Sequence, residues 1–363
     1  MQVRFERSTI LKGVRIFFGL SIASIAVVFL FTMRGETLSA LRQVEPLYIV
    51  LALLLMNCDW FGSGFRLYIL SRRITKKLSY LGCVKASLAN TFMATITPSQ
   101  TGGGPAQIYV LYKEGLPVVE SMSVSLMTFL ATVFFLVIAM FAITFLNLND
   151  TLTNRTIRIL FEYGVFLFLF IGLLVILFVS RPALLRKVIT MFFDFLSRFR
   201  HRHFLRPGSR ANYVVDVIDG CHQIMIGYFR HAWGTVFLAV LITGAVFFSK
   251  FFIAYLIVRG LGVHAGLWEV VSLQILITLV TYFCPTPGAS GAAELGSAVL
   301  MAGIVPVELL MVYVVLWRAI IAYSAVSIGA VVVLRSIGKE TITFEPENFI
   351  MQEKKRAVQP GET

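Results

Sequence analysis

Two short runs of related sequence interrupt long apolar stretches of this chain, Thr97-Pro98-Ser99-Gln100-Thr101-Gly102-Gly103 and Thr286-Pro287-Gly288-Ala289-Ser290-Gly291-Ala292. They lie 189 residues apart. Proline and clustered glycine break a helix and free backbone groups that lipid cannot satisfy, so each run has to be buried in protein or to line a polar cavity. Broken helices at corresponding places in two halves of a chain point to a substrate site near the membrane midplane of a transporter-like fold.

The setting is a membrane. Hydrophobic residues make up 58% of the chain and charged ones 14%, with mean hydropathy +0.83, which excludes an ordinary soluble domain. The first apolar run is followed by further ones and has no small-residue cleavage site, so it reads as a retained span rather than a signal peptide. A full span needs about 20 apolar residues, and six segments qualify: 16–33, 46–70, 119–146, 157–179, 232–258 and 307–335. The regions 79–117 and 268–304 each hold two shorter apolar arms joined by one of the Thr-Pro runs, the pattern of a re-entrant helical hairpin. Cys58, Cys83, Cys221 and Cys284 are dispersed, without CxxC or metal-ligand spacing, and read as unpaired packing residues.

Charge orients these segments. Arg4, Arg7, Lys12 and Arg15 precede the first span, and Arg72, Arg73, Lys76, Lys77 and Lys85 follow the second, whereas the loops 34–45 and 147–156 balance to zero. Segment 181–231 carries nine Lys or Arg against Asp194, Asp216 and Asp219. Positive loops face the cytoplasm, and the assignments agree only if each hairpin returns to its own side. The expected fold is therefore an all-α polytopic membrane protein of two inverted-topology halves, with six full spans, two broken re-entrant hairpins and both termini cytoplasmic. The first half covers 1–150, the second 151–338 with the basic insert 181–231, and 339–363 reads as a disordered tail. Within the insert, Val188, Met191, Phe192, Phe195, Leu196 and Phe199 recur at helical spacing with Arg198, Arg200 and Arg202 between them. That pattern suits either an interfacial helix on the inner leaflet or positive charge that simply sets topology. No nucleic-acid recognition motif accompanies it, and no nucleic acid partner is expected.

Ionisable residues at membrane depth are costly and mark pathways or internal pairs. Asp59, Arg66, Lys250, Glu294 and Arg318 are the candidates. Asp59 could pair internally with Lys250 or Arg318, and Arg66 could snorkel to the cytoplasmic surface. In the first break, Thr101, Gly102, Gly103 and Gly104 would let backbone N–H groups approach an anion, with Gln100 and Gln107 as side-chain donors. In the second, Ser290 and Gly291 would do the same, and Glu294 would suit a cation. Asp59 and Glu294 are the candidate proton or cation sites. An anion-binding loop, a buried Arg318 and a nearby acid match a charged lipid head group, and equally a small anionic or amino-acid-like solute.

The runs TPSQTGGGPAQIYVLYKEG, Thr97 to Gly115, and PTPGASGAAELG, Pro285 to Gly296, resemble the lysylphosphatidylglycerol synthase transmembrane-region family, also described as flippase-like membrane proteins. The resemblance covers most of the chain and implies a bacterial plasma membrane protein that moves phospholipids, anionic or aminoacylated, between leaflets. It extends a substrate role to Pro98, Gly102, Gly103, Gly104 and Gln107 and to Pro287, Gly288, Gly291 and Glu294. Large members join this region to a soluble aminoacyl-transfer domain. After Arg335 only a short tail follows here, so catalysis is not expected and no cofactor is implied. Three functions stand at this point: a lipid flippase or scramblase, a secondary transporter of a small solute, and a membrane-embedded head-group transferase.

Overall fold

The computed structural model describes residues 3–5, 7–32, 44–145, 209–337 and 342–344, with isolated positions between 159 and 191. Among the described residues the fold is all-α apart from one short ribbon, in which β1 (Val3–Phe5) pairs antiparallel with β2 (Ile342–Phe344). Among the described residues, five helices are long and apolar enough to cross a membrane: Ser8–Thr32, Pro46–Ser71, Val118–Ile143, Trp233–Gly260 and Val307–Arg335. They coincide with five of the six expected spans. The ribbon pairs residues near the two ends of the chain. Of the sixth expected span, 157–179, only scattered positions are described, all helical, and of the expected interfacial helix 186–205 only Met191 is described.

The elements run as two matching series. In the first, α1 (Arg7–Thr32) is followed by α2 (Pro46–Ser71), α3 (Tyr80–Ile96), a tight turn Pro98–Gln100, α4 (Gly103–Lys113) and α5 (Val118–Phe145). In the second, an amphipathic α6 (Ser209–His231) leads into α7 (Trp233–Gly260), α8 (Leu267–Phe283), the turn Pro287–Ala289, α9 (Ala292–Met301) and α10 (Val307–Arg318). A π turn, Ala319–Tyr323, joins α10 to α11 (Ser324–Ile337). Elements α2 and α7, α3 and α8, and α4 and α9 are thus repeat equivalents.

Helices α2 and α7 pack along their lengths in opposite directions. Glu45 N–H donates to Gly260 O at one end, Asp59 meets Lys250 in the middle, and Arg73 Nε reaches Thr235 Oγ1 at the other end. Antiparallel packing of equivalent helices is what an inverted repeat requires. Small residues set the close crossings: a Cβ on Gly62 would stand 2.8 Å from Val246, and one on Gly329 of α11 would stand 3.0 Å from Leu88 O of α3. Two apolar cores result. Phe92, Leu111 and Met127 belong to the first, and Phe251, Leu276 and Tyr313 to the second. Outward surfaces remain apolar, with Phe31 84% and Leu30 77% exposed on α1, a finish suited to lipid and not to water.

Candidate functional site

Both Thr-Pro runs adopt one backbone shape. Ser99 (φ 49°, ψ 27°) and Gly288 (φ 58°, ψ 22°) are followed by Gln100 (φ 57°) and Ala289 (φ 52°), two successive left-handed residues in each turn. Three of the four are not glycine, a conformation that persists only where the surroundings impose it. Side chains satisfy the backbone freed at the breaks. Thr97 Oγ1 donates to Met93 O at 2.6 Å and accepts from Gly102 N–H at 2.9 Å, while Thr286 Oγ1 donates to Ser290 O at 2.8 Å. In each series the two arms pack against one another, and the two turns meet at their tips. Gln100 Nε2 reaches across to Thr281 O at 3.4 Å.

A cavity of about 780 Å³ opens beneath these tips. Of the residues expected at a site, Asp59, Arg66, Gln100, Gly104, Gln107, Lys250, Gly288 and Arg318 line it. Pro98, Thr101, Gly102, Gly103, Pro287, Ser290, Gly291 and Glu294 do not appear in its wall. Gly102 and Gly103 are small for another reason: a Cβ there would lie 2.7 Å from Thr97 Cγ2 and 2.8 Å from Asn90 Oδ1, so they allow α4 to close against α3. Gly104, one residue on, has nothing within 4 Å of its missing Cβ and faces open space. Thr101 is exposed, and its hydroxyl donates to Pro98 O at 3.0 Å. Gln107 is held by Asn90, Ser125 and Thr128, tying α3, α4 and α5 together along one wall.

Glu294 is fully buried directly behind the wall. Its Oε2 accepts from Gly291 N–H at 2.8 Å, which caps α9, and its Oε1 accepts from Ser21 of α1. Arg318 Nε stands 2.9 Å from the same Oε1, an ion pair not aligned as a hydrogen bond. The Arg318 guanidinium also donates to Gly288 O at 3.3 Å and to Ser290 Oγ at 3.3 Å, and its Cζ lies 5.5 Å from the Phe17 ring centroid. Arg318 therefore presents a face to the cavity while its back is locked to the second turn.

The π turn completes this arrangement. Five residues along an α-helix rotate by about 500°, leaving residues i and i+5 well apart around the axis. With Ser324 N–H bonded to Ala319 O, Tyr323 comes round to the side of Arg318. Its hydroxyl lies 2.7 Å from Ser21 Oγ, so Tyr323, Ser21, Glu294 and Arg318 form one chain of contacts.

At the other end of the cavity, Lys250 Nζ pairs with Asp59 Oδ1 at 3.0 Å, joining α7 to α2. Asp59 thus has the first of its two expected partners, and Arg318 takes Glu294 instead. Both candidate cation-binding acids are engaged by cations of the protein. Arg66 does not snorkel away to the surface: it turns inward, with NH1 donating to Thr132 at 3.1 Å and to Thr243 at 2.9 Å. The sequence offered no signal for the hydroxyls and amides that make up much of the remaining wall, among them Thr91, Ser125, Thr278 and Gln274.

Equivalent positions of the two series have diverged. The repeat offset sets Arg318 against Phe129 and Glu294 against Pro105, and both Phe129 and Pro105 line the cavity. Leu126 and Phe129 of α5 line it while remaining 41% and 49% exposed, so one side is polar and charged and the other apolar and open.

A duplicated broken-helix fold around such a cavity defines a class of polytopic membrane protein. The chain belongs to the family described as the lysylphosphatidylglycerol synthase TM region, which it matches over residues 16–329. It is also similar to a UPF0104 membrane protein of Archaeoglobus fulgidus, 25% identical over 319 residues that cover 88% of this chain and 95% of the relative.

Proposed function

We propose that this protein is a lipid translocator of the flippase or scramblase type, handling a phospholipid or polyprenyl-linked lipid with a charged head group. The amphipathic cavity carries the proposal. A head group with a charge and hydroxyls finds Arg318, Lys250 and a hydroxyl-rich wall, while Leu126 and Phe129 offer an open apolar side for acyl chains. The lipid named in the family description supports the same reading. In this reading the broken hairpins re-enter from opposite faces of a bacterial plasma membrane, both termini are cytoplasmic, and the two halves rock to expose the cavity alternately.

A secondary transporter of a small anionic or amino-acid-like solute is the alternative, favoured by the polar wall taken by itself. Lipid mass spectrometry on the detergent-purified protein separates the two. A head-group class enriched over bulk membrane, and lost in the Arg318→Ala, Glu294→Gln double variant, is expected, followed by leaflet-to-leaflet movement of that lipid in proteoliposomes. Retention of unselected bulk lipid by both proteins, with no movement, would sink the proposal.

A further inference from the structure

The charges at the cavity do not balance. Among the described residues, three cations, Arg66, Lys250 and Arg318, line it, against one acid, Asp59. Glu294 behind the wall answers Arg318 at 2.9 Å, and Asp59 answers Lys250 at 3.0 Å. Arg66 is left over: among the described residues no carboxylate pairs with it, and its partners are two neutral hydroxyls. Its Nε is buried without any hydrogen-bond partner. A guanidinium with no carboxylate in contact is costly at membrane depth unless an anion meets it.

We infer that Arg66, steadied by Thr132 and Thr243, is an anion subsite of the cavity that takes a phosphate group. The guanidinium presents planar, paired N–H donors that match two oxygens of a phosphate, while the threonines occupy NH1 and fix the plane. Thr132 comes from α5, Thr243 from α7 and Arg66 from α2, so three helices set the direction of the donors. Lys250 and Asp59 line the same cavity as Arg66. The cluster therefore keeps one positive charge in excess, which selects an anionic group over an amine. The identity of the phosphate's carrier, lipid or free, rests on the translocator reading; the subsite itself does not.

The test measures binding to the detergent-purified full chain by calorimetry, with three probes: dihexanoyl phosphatidic acid, dihexanoylglycerol and inorganic phosphate. The proteins are the wild type, Arg66→Gln and Arg66→Lys, each first checked for a cooperative thermal transition. The phosphatidic acid should bind and the diacylglycerol should not, with affinity falling about ten- to a hundredfold in Arg66→Gln, the loss of one charge-assisted hydrogen-bonded pair. Arg66→Lys, which keeps the charge without the fork, should fall between them. If inorganic phosphate binds as tightly as the lipid and in an Arg66-dependent way, the subsite stands and the lipid translocator reading fails. If Arg66→Gln binds every probe as the wild type does, or no phosphate-bearing probe binds the wild type, the subsite is overturned, and the lipid-retention test above remains the judge of translocation.

Discussion

Replacing Glu294 by glutamine keeps the shape of the side chain and removes its charge, leaving Arg318 without a counter-ion. The Arg318 and Glu294 side chains are 6% and 0% exposed, so water cannot substitute. At 2.9 Å and an effective dielectric of 20, their attraction is about 6 kcal/mol before desolvation is counted. Removing one partner of a buried pair typically costs about 3–5 kcal/mol. The lower end applies here, because Gly288 O, Ser290 Oγ and the Phe17 ring still face the guanidinium, and the glutamine oxygen can still cap Gly291 N–H. About 3 kcal/mol corresponds to a fall in melting temperature of about 4 °C, from an unfolding entropy of about 2.1 cal/mol/K per residue over 363 residues. Arg318→Met should cost a similar amount, since it strands the carboxylate. The double variant Glu294→Gln, Arg318→Met removes both charges and should melt well above the temperature that additive losses give, with a coupling of about 2 kcal/mol. Thermal unfolding in detergent, followed by tryptophan fluorescence, measures all three. Single variants that melt within about 1 °C of wild type, or strictly additive losses, would refute the claim that this pair holds the second turn to α10.

Four further outcomes follow from the geometry. Gly288→Ala should destabilise by about 1–2 kcal/mol from its left-handed backbone alone, and by more because the new Cβ would lie 2.6 Å from the Phe17 ring; a melting curve checks it. Gly104→Leu, by contrast, places a Cβ with nothing within 4 Å and projects the rest of the side chain into the cavity, so it should melt near wild type while blocking substrate movement in proteoliposomes. Lys250→Met strands a nearly buried Asp59, but Lys250 is itself 28% exposed, so about 2 kcal/mol is expected, recovered in part by adding Asp59→Asn. Tyr228 in α6 donates to Leu70 O at 2.6 Å, and burial pushes its phenol above the ordinary range, with Arg73 offsetting part of the rise. The folded protein therefore keeps a phenolic proton that the unfolded chain loses above about pH 10, so stability should fall as pH rises beyond that point. Melting from pH 8 to pH 11 should show a shallower decline in Tyr228→Phe.

Much of the architecture was legible because lipid imposes simple rules. A run of about 20 apolar residues has few other fates, and a Thr-Pro-Gly break inside one has to be buried against protein. The spacing of the two breaks was enough to match α3 with α8 and α4 with α9. Intramembrane charges likewise announced themselves, and Asp59 and Lys250 found each other. What the sequence could not tell was direction. Gly102, Gly103 and Gly104 look alike as letters, yet the first two face the partner arm and only the third faces the cavity. Arg66 is as easily imagined reaching for the surface as for Thr243. Ser21 sits in a plain apolar helix more than 270 residues from the acid it contacts, and the π turn after Arg318 has no residue signature. Such features arise from how helices are rotated against their neighbours, which periodicity constrains only where one face is polar.

The unpaired guanidinium has a further consequence for the cell that houses the protein. Any hydrophilic recess cut deep into a bilayer is a weak point for the ion gradients across it. A proton carrier or sodium ion that approaches to about 6 Å of an uncompensated positive charge, at an effective dielectric of 20, meets a repulsion of about 3 kcal/mol, enough to lower its occupancy about a hundredfold. An anion entering the same recess gains by the same field. A surplus of fixed positive charge in the wall thus disfavours cations in the recess relative to anions.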